Sequence, residues 1–424
     1  MTKIFKPITI ILLSLMCCNQ CLAQKTSDGN WTVLFNGKDL TGWEMRNAKH
    51  KVEVKNGVIV GTNVIGEDNG FLCTRKEYGD FILELEVNGD LLLDNSGIQF
   101  RSASTPDFMN GRIHGYQVQI ENRPPHISQW SGSIYDEAGR GFLYIFEDDP
   151  IRQKAYVHNQ WNKIRIEAIG TTSRVWVNGI PTAHVVDDKM LSGLICLQIH
   201  GGSHADERGE QSVFMRNVRI QTDNPKASQY DDIPVVNLIP NTISPQEKHQ
   251  GFTLLFDGNS SDNWRGAAPR GAPGTGWKIQ DGAITVFASD TNGSKQGKTV
   301  AMTEKQYGPF ELKFEFKLHN PEAIAGIEYF VDGKSDFKRQ ALYGRLALDN
   351  AVNNAKINRD IWKKEWNQGV IKAHPNGLVE YWLNGYQILE YKRTDDQPSK
   401  GSIMIDAYNG DTVSYRSVKI RELK

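Results

Sequence analysis

The sequence predicts an all-β protein made of two tandem β-sandwich domains of jelly-roll type. Three observations carry that expectation: a duplicated order of landmarks, short alternating segments punctuated by Gly, Asn and Asp, and a scarcity of helical periodicity.

The repeat is the strongest of the three. Trp31, Leu34, Phe35, Gly37 and Trp43 recur with the same spacing as Phe252, Leu255, Phe256, Gly258 and Trp264. Tyr78-Gly79 opens an alternating stretch ending at Val87, and Tyr307-Gly308 opens another ending at Phe316. Gly97-Ile98 answers to Gly326-Ile327. Trp161-Asn162 is followed by Trp176 and Asn178-Gly179, as Trp366-Asn367 is followed by Trp382 and Asn384-Gly385. A period of roughly two hundred residues is far too long for a solenoid and indicates a duplicated domain.

The alternating stretches that begin at Phe81, Ile164 and Val413 read as half-buried strands, and the two Asn-Gly pairs as hairpin turns. The best helix candidate is 350–366, and the four landmark tryptophans at 161, 176, 366 and 382 read as core residues. The boundary falls where prolines cluster, at Pro225, Pro234, Pro240 and Pro245, a linker composition. The expected division is a signal segment at 1–23, a first domain at 24–223, a linker at 224–249 and a second domain at 250–424.

The N-terminus reads as a secretory signal. Lys3 and Lys6 precede the apolar run Ile8 to Met16, and Cys21-Leu22-Ala23 offers a small-residue cleavage site before Gln24. The alternatives are an uncleaved anchor or lipidation at Cys17, for which Met16 is a poor preceding residue. The expected location is periplasmic or extracellular, and no later segment is apolar for long enough to span a bilayer. Three of five cysteines leave with the signal; Cys73 and Cys196 sit in apolar runs and read by default as buried free thiols, a single bridge staying open.

Composition excludes some classes. The chain has 424 residues, 49 Lys plus Arg and 50 Asp plus Glu, for a formal net charge of −1. That balance gives no electrostatic case for a nucleic-acid partner or an anionic membrane surface. No phosphate loop, nucleophile elbow, H-E-x-x-H helix or zinc-type cysteine spacing is present.

The copies differ in one place. Gly97 and Trp161 are 64 positions apart, Gly326 and Trp366 only 40, so the second copy lacks 24 residues where the first carries its unusual polar residues. Strand parity sharpens the contrast. Gln99 and Arg101 alternate with Ile98 and Phe100; Gln117, Gln119 and Glu121 with Tyr116, Val118 and Ile120; Gln198 and His200 with Leu197 and Ile199. If they adjoin, three such strands make a floor of planar donor–acceptor groups, the surface a saccharide needs; otherwise they are solvent-exposed sheet faces. The loop from Trp130 to Arg140 adds Tyr135, Asp136 and Glu137; neighbouring carboxylates diverge, so either one does acid–base work while the other pairs with Arg140, or the loop is simply salt-bridged. His114, just before Tyr116, either faces the floor or caps a strand, and in the second copy Glu328, Arg345, Asp349 and Asp406 are candidates for a smaller polar patch.

The stretches 114–121, 130–141, 161–170, 197–200 and 214–220, with the opening 34–43, resemble the 3-keto-disaccharide hydrolase family across nearly all of 30–222. Over 251–424 the resemblance covers the scaffold landmarks but not the loop at 130–140. It implies a concanavalin-like jelly roll, export, and cleavage of glycosides already oxidised at carbon 3. The family often has a carboxylate where Gln119 stands and Asp where Glu121 stands. The implied chemistry is removal of the acidified hydrogen on carbon 2, departure of the aglycone from carbon 1, and addition of water. In that scheme Glu121 or His200 is the base, Arg101 and His114 stabilise the enolate, and Asp136 is the acid. Gln99, Gln117, Gln119, Gln198, Trp130, Tyr135, Glu137 and Arg140 bind the sugar. A divalent metal on His114, Glu121 and His200 is the alternative source of positive charge. Competing readings are a non-catalytic carbohydrate-binding protein, a two-carboxylate glycosidase, and, for 251–424, an interaction module.

Overall fold

The computed structural model describes residues 30–89, 95–121, 130–146, 149–202, 209–266, 276–287, 299–320, 323, 325–331, 345–347, 363–407 and 411–424. The signal segment therefore lies outside the described residues, as do Asp349 and most of the helix expected at 350–366; its last residues, 363–366, carry no helix.

Each copy is a pair of sheets. The first pairs a nine-stranded sheet with a seven-stranded one; the second pairs an eight-stranded sheet with a five-stranded one. The seven-stranded sheet runs Gly141–Tyr144, Ile134–Glu137, His114–Glu121, Asn95–Ala103, Leu194–Ile199, Gly70–Thr74, Trp43–Asn47. Its core side contributes Ile98, Phe100, Tyr116, Val118, Ile120 and Leu197 to one apolar cluster, where Leu83, Leu85, Ile164, Ile166 and Val175 arrive from the larger sheet. The alternation of these strands is thus the alternation of two environments. The expected jelly-roll sandwiches are present, with crossovers between non-consecutive strands throughout.

Both Asn-Gly pairs form two-residue hairpin turns in which both residues take positive φ, 51° and 83° at Asn178-Gly179 and 48° and 91° at Asn384-Gly385. Those values are what the twist of the flanking strands requires.

Two expectations need correction. The landmark tryptophans are half-buried on outer faces, not in the cores. Trp161 lies under Arg216 and Trp366 under Arg416, each with the guanidinium 4.0 Å from the ring centroid, while Trp176 lies under Arg174 and Trp382 under Lys372. Cys73 and Cys196 are directly opposite in neighbouring antiparallel strands and form a disulfide, not two free thiols. The linker carries short pieces of regular structure. Val236–Asn237 pairs with Ile180–Val186 and Pro245–His249 is a capped helical turn. Arg174 donates to the carbonyls of Ser228 and Gln229 on one side, and Lys419 pairs with Glu247 on the other, so the segment is strapped across both large sheets.

Candidate active site

The candidate site is the outer face of the seven-stranded sheet in the first copy. Register aligns its side chains in rows. Cys73, Cys196, Gln99, Gln117 and Tyr135 are successive cross-strand neighbours, and so are Phe71, Gln198, Gly97 and Gln119. In the third row Glu121 pairs with Asn95, and His200 lies one step beyond the Ile199–Ser96 pair.

The amides are joined end to end. Ser102 Oγ donates to Gln99 Oε1 at 2.9 Å, Gln99 Nε2 to Gln117 Oε1 at 2.6 Å, and Gln117 Nε2 to Gln119 Oε1 at 2.8 Å. Gln119 Nε2 reaches Asn95 Oδ1 at 3.1 Å and Glu121 Oε1 at 3.5 Å. Each amide passes its donor to the next acceptor, so the row has one polarity and ends at a carboxylate. Gly97 makes room for it: a Cβ there would lie 2.4 Å from the Gln117 amide carbon.

These side chains point away from the hydrophobic core yet are almost entirely buried, at 0% for Gln99, 2% for Gln117, 4% for Gln119 and 1% for Gln198. The face is therefore roofed. The roof includes Ile113, which packs with Phe71, Cys73, Leu194 and Cys196 in a small apolar cluster separate from the main core. Gln198 Oε1 and Ser133 Oγ are buried with no hydrogen-bond partner among the described residues. Native proteins leave few such atoms, and two on one face mark places a hydroxyl-bearing ligand can fill.

Burial raises the Glu121 carboxyl to about 7, although bonds from Gln119 and the Trp130 amide favour ionisation. A carboxyl poised near neutrality suits proton transfer. Beside it, Trp130 and Tyr135 meet Phe142 edge-on, with centroids 4.6 and 4.9 Å apart, as an aromatic border.

Gln99, Gln117, Gln119, Glu121, Gln198 and His200 thus share this face, with Trp130 and Tyr135 along its edge. His200 Nδ1 lies 3.0 Å from the Gly201 carbonyl. Five predicted residues do not join them. Arg101 has φ +47° within a β-bulge that turns its side chain through the sandwich. There its guanidinium donates to the carbonyls of Gly79 and Gly170 and to Asp80. The bulge breaks the alternation, so strand parity does not place this side chain.

Asp136 is opposite the core residue Tyr116, hence on the inner side, fully buried. Burial pushes its carboxyl up, but hydrogen bonds from Lys189 at 2.9 Å and Arg140 at 2.6 Å prevail and hold it below the ordinary range. It cannot supply a proton at neutral pH. Arg140 also bonds Asp187, the acceptor of the Tyr116 hydroxyl, and is committed to that network.

Glu137 has the parity of the outer face but lies at its far end, opposite Gly115, and His114 is at the same end of the sheet. The His114 ring packs 3.9 Å from Phe108, and Glu137 pairs with Arg112 at 2.7 Å. His114 and Glu121 begin and end one strand, so about 23 Å of extended chain separates them. One metal ion cannot be held by both, and the trio His114, Glu121 and His200 does not meet.

Sequence reasoning missed Asn95, Ser102 and Phe142. Asn95 lies two residues before Gly97, so the same parity that selected Gln99 includes it.

The second copy keeps the frame and changes the chemistry. Met302 and Met404 occupy the places of Cys73 and Cys196 and pack with Val331. Glu328 stands at the Gln99 position and Asp406 at the Gln198 position, both buried, with Arg345 opposite Glu328 in register.

Fold and face together define a tandem concanavalin-like jelly-roll protein with a buried, amide-rich surface in its first domain. The chain belongs to the 3-keto-α-glucoside-1,2-lyase-like domain family, whose pattern matches residues 30–221 and again 251–421. That membership makes it a carbohydrate-active protein. A search among curated proteins gives no match. Among solved structures it is similar to a protein provisionally assigned as a glycosyl hydrolase from Parabacteroides distasonis, at 20% identity and a TM-score of 0.35, covering 44% of this chain and 100% of that one. It is also similar to a protein with a galectin-like fold from Bacillus subtilis, at 12% identity and a TM-score of 0.36, covering 47% and 98%. A carbohydrate-binding module from Bacillus subtilis matches at 14% identity and a TM-score of 0.30, covering 42% and 94%.

Proposed function

We propose that the first domain is an exported enzyme that cleaves glycosides or disaccharides already oxidised to a ketone at carbon 3. The single observation that carries the reading is the directed row Gln99–Gln117–Gln119 ending at Glu121 on a roofed face. A row of amides recognises hydroxyls, and one carboxyl near neutrality at its end takes a proton.

In this scheme Glu121 removes the hydrogen on carbon 2, made acidic by the neighbouring ketone. The electron pair moves onto the ketone oxygen as an enolate. It then returns to expel the aglycone from carbon 1, and water adds across the resulting double bond. His200 shares the row of Glu121 and is the remaining imidazole for the enolate or the leaving oxygen, since Arg101, His114 and Asp136 are elsewhere. Gln117, Gln119 and Gln198 orient the ring, and Trp130 and Tyr135 border it.

The test is a paired assay of a 3-keto-glucoside and the unoxidised glucoside in deuterium oxide. Expected are aglycone release from the keto substrate alone, deuterium at carbon 2, and loss of both with Glu121→Gln. Equal cleavage of the unoxidised glucoside without exchange would instead indicate a two-carboxylate glycosidase. Binding without turnover would indicate a lectin-like role.

A further inference from the structure

The outer faces of the two large sheets carry corresponding ladders of charge, with one inversion. In the first copy Glu84 stands between Arg165 and Arg219 in register, and they donate to it at 2.9 and 2.6 Å. The same place in the second copy holds Lys313, between Val370 and Lys419. A carboxylate between two cations has become a cation beside a cation.

Lys419 is compensated by Glu247 from the linker, at 2.8 Å. The nearby carboxylates are likewise committed, Glu311 to Arg421 and Glu315 to Arg416. Lys313 donates to the Val235 carbonyl at 3.1 Å and lies 4.6 Å from the Phe252 ring centroid; Glu311 and Glu247 act on it electrostatically, but no carboxylate is within ion-pair distance among the described residues. An ammonium has three donors, and a desolvated charge without a direct ion-pair partner is costly. Burial lowers the basicity of this amine accordingly.

Lys313 borders a cavity of about 380 Å3 between the two domains, walled also by Tyr144, Phe146, Arg152, Gln368 and Trp382. The Trp382 indole N–H is buried and has no partner. The cavity thus offers unmet donors, aromatic walls and the Gln368 amide, in a volume suited to a small organic molecule. Its lining carboxylates Asp149, Glu247, Glu311 and Glu315 are paired with Arg152, Lys419, Arg421 and Arg416.

We propose that this cavity binds a pyranose-sized sugar acid, with its carboxylate on Lys313 and its ring between the aromatic walls. The carboxylate gives Lys313 the opposite charge that Glu84 gives Arg165 and Arg219 in the first copy, and the indole N–H donates to a ring or hydroxyl oxygen. The proposal does not depend on the chemistry assigned to the first domain.

Titration calorimetry on the full chain tests it, with D-glucuronate and D-galacturonate as probes and D-glucose and acetate as controls. We expect a uronate to bind at least tenfold more tightly than either control. Lys313→Met should weaken that binding at least tenfold, raise the melting temperature of the ligand-free protein, and leave turnover of a 3-keto-glucoside unchanged. Trp382→Phe keeps an aromatic, though smaller, side chain, removes the N–H and should weaken binding severalfold; it serves as the probe should the lysine variant not fold. Glucose binding as tightly as glucuronate, unchanged uronate affinity in both variants, or no heat with either uronate up to about 10 mM would each overturn the proposal.

Discussion

Replacing Glu121 with Gln separates the two consequences of its burial. A carboxyl raised from its ordinary 4.5 to about 7 binds its proton more tightly in the folded than in the unfolded chain. Between those values the folded state holds the extra proton, so stability falls as pH rises from about 4.5 to about 7 and stays reduced above that. At about 1.4 kcal/mol per tenfold in the acid constant, discounted for partial solvent contact, the loss is about 2–3 kcal/mol. Gln has the same shape and no charge to desolvate. Glu121→Gln should therefore melt with the wild type at pH 4 and roughly 5–10 °C above it at pH 8, followed by calorimetry of the first domain's transition. The same variant should lose about 10²–10⁴-fold in kcat/KM on a 3-keto-glucoside, while wild-type activity falls as pH drops below about 7 because the base must be ionised. Parallel melting curves across pH 4–8 would refute the raised carboxyl. A stabilised variant with undiminished activity would refute Glu121 as the base.

Arg101→Lys keeps the charge but cannot span Gly79, Gly170 and Asp80 at once; the melting temperature should fall by the equivalent of about 2–4 kcal/mol with kcat/KM within a few-fold, and a hundredfold loss of turnover in folded protein would return Arg101 to the chemistry. Asp136 has a lowered carboxyl, so its stabilisation is present at neutral pH and is lost as pH falls through the folded value. Asp136→Asn should accordingly melt lower than the wild type at pH 7, with the gap closing below pH 4, and retain turnover. Reducing the Cys73–Cys196 bridge, which spans 123 residues, should cost about 2–5 kcal/mol in urea unfolding, and no change on reduction would contradict the pairing. Gly97→Ala should displace the Gln117 amide and raise KM for a keto substrate; unchanged kinetics would show that the row tolerates a break at its centre.

The floor was legible in the sequence because strand period is 2 and its residues are chemically uniform. Gln117, Gln119 and Glu121 alternate with Tyr116, Val118 and Ile120, and that pattern alone separates core from site. The failures have local causes. Parity misplaces Arg101 because one residue at positive φ reverses it, and an arginine gives no warning of such a bulge. Asp136 is not placed by the sequence because its loop gives no register, and a one-residue choice decides between floor and interior. The disulfide required knowing that strands 123 residues apart are neighbours in a particular register. The tryptophans were misread although the signal was available, since Trp176 alternates with the core residues Val175 and Val177 and so must face outward.

The duplication acts as an internal control on which features belong to the scaffold. Phe330, four positions after Gly326 as Arg101 is four after Gly97, also sits in a bulge at positive φ, 59°. Where Arg101 binds carbonyls at the sandwich end, Phe330 packs against Phe310 and Tyr329. The bulge survives a change from guanidinium to phenyl, so its geometry is what the fold retains and the side chain is free to follow either chemistry. The same logic applies to the Trp161–Arg216 and Trp366–Arg416 stacks, present in both copies at equal distance on faces remote from the floor. The floor behaves in the opposite way. Its disulfide becomes a methionine pair, Gln99 becomes Glu328 and Gln198 becomes Asp406, while the glycine at 97 and 326 stays. A face that keeps its central strands, loses neighbouring chain and exchanges its polar groups does not present the amide row, which is why the proposed 3-keto-glycoside chemistry is placed in the first copy alone.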